Sequence, residues 1–274
     1  MELLKVNTRA HRVVVAPLGD IQWSGATGPT AAEHVKRHID RVLKMEGRGT
    51  AVRFLGMGDY IDFLSPSNRQ RLTSAALYDT ADAVIDEKAH ELVEEVFERL
   101  LKPTRGKWLG LLEGHHFYEG QGSTSDMWLA EMLECPLLGT SAYVRLEPSG
   151  FVLWAHHGLG GGILPTSGIN KLYHTSAGLQ GADVYLMGHN TKMGAQRLSR
   201  PTPNADHTDL THHDVLLVNT GGFSKSNVVG HRHGRIVRGD YAEQGMMTPS
   251  PLCAPLVYCY GPRGRHGEGI RVEV

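Results

Sequence analysis

The sequence predicts an α/β fold, and three observations lead there. Short apolar runs recur at 13–18, 51–57, 108–112, 151–155, 184–187 and 215–218. Runs of this length, bounded by turn residues, read as buried strands. Stretches of helical period separate the early runs. Nearly every run closes in a turn rich in glycine, histidine or aspartate.

The elements follow in order. After the first run, Thr30 and Glu33 have capping-box spacing, and Val35, Ile39, Val42 and Leu43 fall on one helical face. After the second, Thr80 is placed to cap a longer helix with the stripe Val84, Ile85, Leu92, Val93, Val96, Phe97 and Leu100. Lys102-Pro103 ends it. After the third, Ser125 is placed to cap a short helix carrying Trp128, Leu129, Met132 and Leu133. The second half reads as mostly strand and loop, with the polar stretch 199–213 as a long loop. No repeat, low-complexity tract or linker divides the chain, so a single domain over 1–274 is expected.

Composition narrows the function. Hydrophobic residues make up 41% of the chain and charged residues 21%, enough for a real core. The 28 basic and 29 acidic residues cancel to a net charge of -1. That excludes bulk electrostatic binding to nucleic acid or anionic lipid, while leaving room for a local basic patch. No apolar run approaches the roughly 18 residues of a membrane span, and the first residues, MELLKVNTRAHR, lack the apolar stretch of a signal peptide. Cys135, Cys253 and Cys259 are odd in number and lack CxxC spacing. A disulfide framework or cysteine zinc site is not expected, and the expected location is cytoplasmic, away from membranes. The sequence gives no oligomeric state. Sixteen histidines and 33 glycines exceed average usage, and histidine is the commonest metal ligand.

The chemistry lies where the strands end. Gly19-Asp20-Ile21-Gln22 follows the first run, Gly58-Asp59-Tyr60-Ile61-Asp62 the second and Gly114-His115-His116 the third. His156-His157-Gly158 follows the fourth, and Gly188-His189-Asn190-Thr191 the fifth. Ligands of α/β sheets bind beyond the carboxyl ends of strands, so these five turns can converge. Together they hold a mixed nitrogen and oxygen donor set, which suits Mn, Fe or Zn better than Mg. Taken singly, Asp20 and Asp59 are equally at home as turn or cap residues, and adjacent histidines as a surface pair.

The ordered series GDIQ, GDYID, GHH, HHG and GHNT resembles the calcineurin-like metallophosphoesterases, whose pattern is DxH, GDxxD, GNH, HG and GHxH. The likeness covers about 13–191. It implies a four-layer αββα sandwich with two divalent metal ions between the sheets, Mn first and Fe or Zn as alternatives. By position, Asp20 and Gln22 would bind the first metal and Asp59 would bridge both. His115, His157 and His189 would complete the second. His116 would be the general acid or phosphate-contacting histidine, and Asp62 its orienting partner. The implied activity is hydrolysis of a phosphate ester by in-line attack of a metal-bridging hydroxide. A phosphodiester, nucleotide or short nucleic acid is favoured over a monoester.

Three positions depart from the pattern. Gln22 replaces a histidine, His115 an asparagine and Thr191 the last histidine. The first metal loses two imidazoles, so it is expected to bind more weakly. The alternative function is a degenerate, non-catalytic metal or phosphate-binding module on the same scaffold. Gly230-His231-Arg232-His233 also spells GHxH, but it follows no apolar strand and lies among Lys225, Arg235 and Arg238. It reads as a solvated or phosphate-contacting segment before it reads as a ligand source. Trp23, Phe63 and Tyr118 flank the motifs and could stack on a base or pack locally. The stretches 65–73 and 158–162 are expected to shape the entrance.

Overall fold

Alternate residues of the apolar runs serve two different cores, because successive strand side chains point to opposite faces. The computed structural model describes residues 1–26, 28–47, 49–64, 70–71, 79–120, 122–160, 164, 166–233, 235–263 and 269–274. The early strands are β1 (Glu2–Asn7), β2 (Arg12–Leu18), β3 (Thr50–Gly56), β4 (Trp108–Leu111), β5 (Glu119–Gly120) and β6 (Ser123–Thr124). Next come β7 (Ser141–Glu147), β8 (Val152–His156), β9 (Val184–Met187), β10 (Gly194–Pro203) and β11 (Leu210–Asn219). The last are β12 (Arg232–His233), β13 (Ile236–Val237), β14 (Leu256–Tyr260) and β15 (Ile270–Glu273). The helices are α1 (Ala32–Leu43), α2 (Asp79–Val96), α3 (Ser125–Met132), α4 (Thr166–Gly178) and the single turn α5 (Tyr241–Gln244).

Two mixed sheets form. One runs β15-β14-β2-β3-β4 and the other β1-β7-β8-β9-β11-β10. Strands β2, β3 and β4 are parallel, and so are β8, β9 and β11. In β2, Val13 and Val15 meet the second sheet, while Val14, Ala16 and Leu18 face α1, α2 and α3. In β9, Val184 and Leu186 face the first sheet, while Tyr185 and Met187 pack with Ile169 and Leu172 of α4. Strands buried on both faces read as unbroken apolar runs, which is why these were legible. The resulting order is helices, sheet, sheet, helix, within the expected α/β class. Among the described residues no helix is long and apolar enough to cross a membrane.

Several expectations need correction. The stretch 199–213 is no loop: it lies mostly in the antiparallel pair of β10 and β11, in register from Gly194↔Asn219 to Pro203↔Leu210. Its outer part is exposed on both faces, so no apolar alternation marks it, and Pro201 and Pro203 are tolerated because β10 is an edge strand. The second half also holds α4, a thirteen-residue helix. Thr30 does not cap α1. The N-cap is Ala31, and the Thr30 hydroxyl instead donates to the carbonyls of Ile21 and Gln22 at 2.9 Å each. The cap of α3 is Thr124, whose Oγ1 accepts from Met127 N, whereas Ser125 Oγ accepts from Tyr118 N. Thr80 falls inside α2, and its side chain lies outside the described residues. Val84 is exposed, and the buried stripe of α2 begins at Ala89, where His90 stacks on Trp128 of α3. Of the expected entrance, 65–69, 72–73 and 161–162 lie outside the described residues.

Helix α1 carries one buried histidine. His38 packs near Phe223, and its Nε2 has no hydrogen-bond partner among the described residues. Burial, aided by the Arg41 charge, pushes its pKa down to about 4 from 6.5. The unfolded chain therefore binds a proton that the folded chain refuses. The stability this neutral ring allows is complete above pH 6.5 and declines as the pH falls to 4, by about 3 kcal/mol. Urea unfolding of wild type and His38→Leu at pH 7 and pH 4 checks this. The acid loss should shrink in the variant by that amount, and identical pH profiles would refute it.

Candidate metal centre

Two turns are laced together first. Asp20 N donates to Gly58 O and Gln22 N to Asp59 O, both at 2.9 Å, joining the ends of β2 and β3. Asp20, Gln22, Asp59 and His189 all adopt left-handed backbone, with φ of 48°, 51°, 53° and 61°. Glycine permits the close approaches around them. A Cβ on Gly114 would stand 2.2 Å from Asp59 N, and one on Gly222 2.7 Å from Asp20 Cβ.

Asp59 is the hub. Its Oδ1 accepts the backbone N–H of both His115 and His116. Its Oδ2 lies 3.4 Å from His157 Nε2. His157 Nδ1 is 2.6 Å from the carbonyl of Met57, which can only accept, so the ring proton sits on Nδ1. Nε2 then turns a lone pair toward the carboxylate. Two facing electron pairs in a site both residues bury almost completely require a proton or a cation between them. His115, His157 and His189 each offer a ring nitrogen, and the three lie within 4.8 Å of one another. Nδ1 of His115 and Nδ1 of His189 are 3.2 Å apart, within hydrogen-bond reach of one another.

Asp20 lies beside this group. Its Oδ2 accepts the His189 N–H at 3.0 Å, and its Oδ1 is buried without a partner among the described residues. Burial, with repulsion from Asp59, raises its pKa to about 7 although His157 offsets part of the rise. Burial opposes ionisation of Asp59 too, but His157 and His116 overcome it and hold that carboxyl well below the usual range. Burial also opposes the charge on His157, and there Asp59 and Asp20 win, lifting its pKa to about 9. His189 is pushed down to about 4 by burial and by its neighbours His157 and His115. An orphaned carboxylate oxygen, an orphaned imidazole nitrogen and clustered histidines fit a divalent cation, and the mixed set suits Mn, Fe or Zn.

Beside this cluster stands an acid–base pair. His116 Nδ1 donates to Asp62 Oδ1 at 2.8 Å, and both side chains are partly open to solvent. The Asp62 hydrogen bond raises the His116 pKa. His156 is not part of the cluster. Its Nδ1 accepts the Gly158 N–H at 2.7 Å and shapes the turn that carries His157.

The structure thus brings Asp20, Asp59, His115, His157 and His189 together, with His116 and Asp62 adjoining. Gln22 joins through its main chain; among the described residues its side chain makes no hydrogen bond to the cluster. Thr191 Oγ1 lies 2.6 Å from Ser250 Oγ. His231 Nδ1 lies 2.8 Å from the carbonyl of Arg238, away from the three-histidine group, and the His233 side chain lies outside the described residues. Trp23 and Tyr118 are buried, with Trp23 Nε1 donating to Glu95 and Tyr118 edge-on to Phe63, so these aromatics pack locally.

Two contributors escaped the sequence. Buried Asp126, in the first turn of α3, accepts the Gly114 N–H through Oδ2 at 2.9 Å and so braces the turn bearing His115 and His116. The turn after β11 presses Gly222 against Asp20, and Phe223 N donates to Asp20 O at 2.9 Å. Strand β11 is parallel to β9, so the strand-end rule applied to its terminus would have found this sixth turn. No protein-family model matches the chain, and no curated protein matches it in sequence.

Proposed function

We propose that the chain is a metal-dependent phosphoesterase acting on phosphodiesters in preference to monoesters. The observation that carries this reading is the His116–Asp62 pair beside a cluster of three histidines and two buried aspartates. Proton donor and cation donors stand side by side, a pairing that ester hydrolysis at phosphorus can use. Asp20, with Gln22, would hold a first divalent ion, and His115, His157 and His189 a second, with Asp59 serving both. The layer order of helices, sheet, sheet and helix supports the likeness to the metallophosphoesterase sandwich. When bound, the ions supply neutralisation of phosphoryl oxygens and a water acidic enough to act as nucleophile near neutral pH.

The chain's own residues do the rest. Asp62 fixes the His116 proton on Nδ1 and leaves the Nε2 proton for the departing oxygen. Asp59 fixes the backbone of His115 and His116 so that ring and cluster keep their relation. The second reading, a non-catalytic ion or phosphate binder, draws on Gln22 and on Thr191, whose hydroxyl is engaged by Ser250.

Calorimetric Mn titration of chelator-treated protein should show two unequal affinities, and bis(p-nitrophenyl) phosphate should be hydrolysed faster than the monoester. Two equal tight sites would contradict the assignment of the first position. Absence of turnover with Mn, Fe and Zn would favour the non-catalytic reading.

A further inference from the structure

Residues 224–250, described except for 234, leave the centre and return to it. The outgoing root is Phe223, bonded to the Asp20 carbonyl, followed by Lys225, whose N–H donates to Pro29 O at 2.8 Å. The returning root is Ser250, 2.6 Å from Thr191 Oγ1. There Lys192 Nζ also binds the carbonyls of Thr248 and Pro249. Between the roots stands the β12–β13 hairpin, with a cleft of about 370 Å³ lined in part by Val228, His231 and Arg238. Val229, Ile236, Val237 and Met246 are exposed.

The arm is locally basic. It holds Lys225, Arg232, Arg235 and Arg238 against Asp240 and Glu243, in a chain of net charge -1. Asp240 is already occupied by the N–H groups of Val228 and Glu243. Among the described residues none of the four arm cations forms a salt bridge with a carboxylate. Unpaired guanidinium groups on an exposed hairpin suit bidentate contact with phosphate oxygens.

We infer that this arm grips the phosphate backbone of a nucleic-acid strand and presents it to the centre at its root, an inference that takes its substrate chemistry from the phosphodiesterase reading above. The position of both roots at Asp20 and Thr191 argues for a substrate rather than a lipid surface. Guanidinium contact with phosphate oxygens positions a strand without reading its bases.

Fluorescence anisotropy tests it, with labelled single-stranded and duplex oligonucleotides in chelator so that nothing is cleaved. In Arg232→Gln/Arg235→Gln/Arg238→Gln the affinity at low salt should fall at least about tenfold. The slope of log K against log salt should weaken by about 2 for a single strand or about 3 for duplex. The control Lys36→Gln/Lys88→Gln/Lys102→Gln removes equal charge elsewhere and should bind as wild type does. Thermal unfolding of each variant confirms that it is folded. Unchanged binding by the arginine variant, or equal loss in the lysine control, overturns the arm. Arm-dependent binding to phosphatidylserine vesicles with none to either oligonucleotide also overturns it, in favour of a lipid surface. Failure of wild type to hydrolyse bis(p-nitrophenyl) phosphate would instead count against the centre, which the anisotropy experiment does not involve.

Discussion

Asp59→Asn should abolish divalent-ion binding and lower turnover by at least about 10³-fold while leaving the chain folded. The two carboxylate oxygens of Asp59 meet different partners. Oδ1 accepts two backbone N–H groups, and the amide oxygen of asparagine can do the same. Oδ2 faces the His157 lone pair at 3.4 Å, where an amide NH2 would donate a hydrogen bond instead of demanding a cation. The substitution therefore satisfies every neighbour and removes only the charge that an ion needs. Metal catalysis supplies several kcal/mol of transition-state stabilisation, which sets the size of the loss. Ion content by mass spectrometry and unfolding with and without Mn check this apart from activity. Wild type should gain about 2.7 kcal/mol at a hundredfold excess of ion over its dissociation constant, and the variant nothing. Wild-type ion content in the variant would refute the role of Asp59.

His116→Ala should keep ion binding and lose about 10²–10⁴-fold in turnover. His116 meets Asp59 through its backbone N–H, which alanine retains, and its ring meets Asp62. The donor cluster is therefore untouched, whereas the proton on Nε2 is gone. The defect should be large for an alkyl leaving group and small for p-nitrophenol, which departs without help. Asp62→Asn should show a milder form of the same pattern, because the ring remains but its tautomer is no longer fixed. Loss of ion binding in His116→Ala, or an equal defect with both leaving groups, would remove His116 from the acid role.

What the sequence revealed follows from where side chains are constrained locally. Strands β2, β3, β8 and β9 are buried on both faces, so each appeared as an apolar run, and each fed a polar turn. Strand β7, with a pattern that mixes buried and exposed positions, and the two-sided exposed part of β10 gave no such signal. The donor cluster was readable because Asp20, Asp59, His115, His157 and His189 each sit within four residues of a strand end, and parallel strands bring those ends together. Asp126 was not, because its approach to Gly114 depends on how α3 docks, a tertiary fact with no local mark. Thr30 shows the same limit: its spacing to Glu33 suits a helix cap, yet packing directs the hydroxyl to the turn of Ile21 and Gln22.

Asp20, Gln22, Asp59 and His189 share a backbone handedness that costs an ordinary residue roughly 1 kcal/mol relative to glycine. That cost is borne where the side chains hold the turns and offer donor atoms. Glycine at any of them would ease the backbone but forfeit a donor atom and, at Asp20 and Asp59, the N–H groups their carboxylates accept. Any effort to harden this protein should therefore hold those codons fixed and search the outer helices instead.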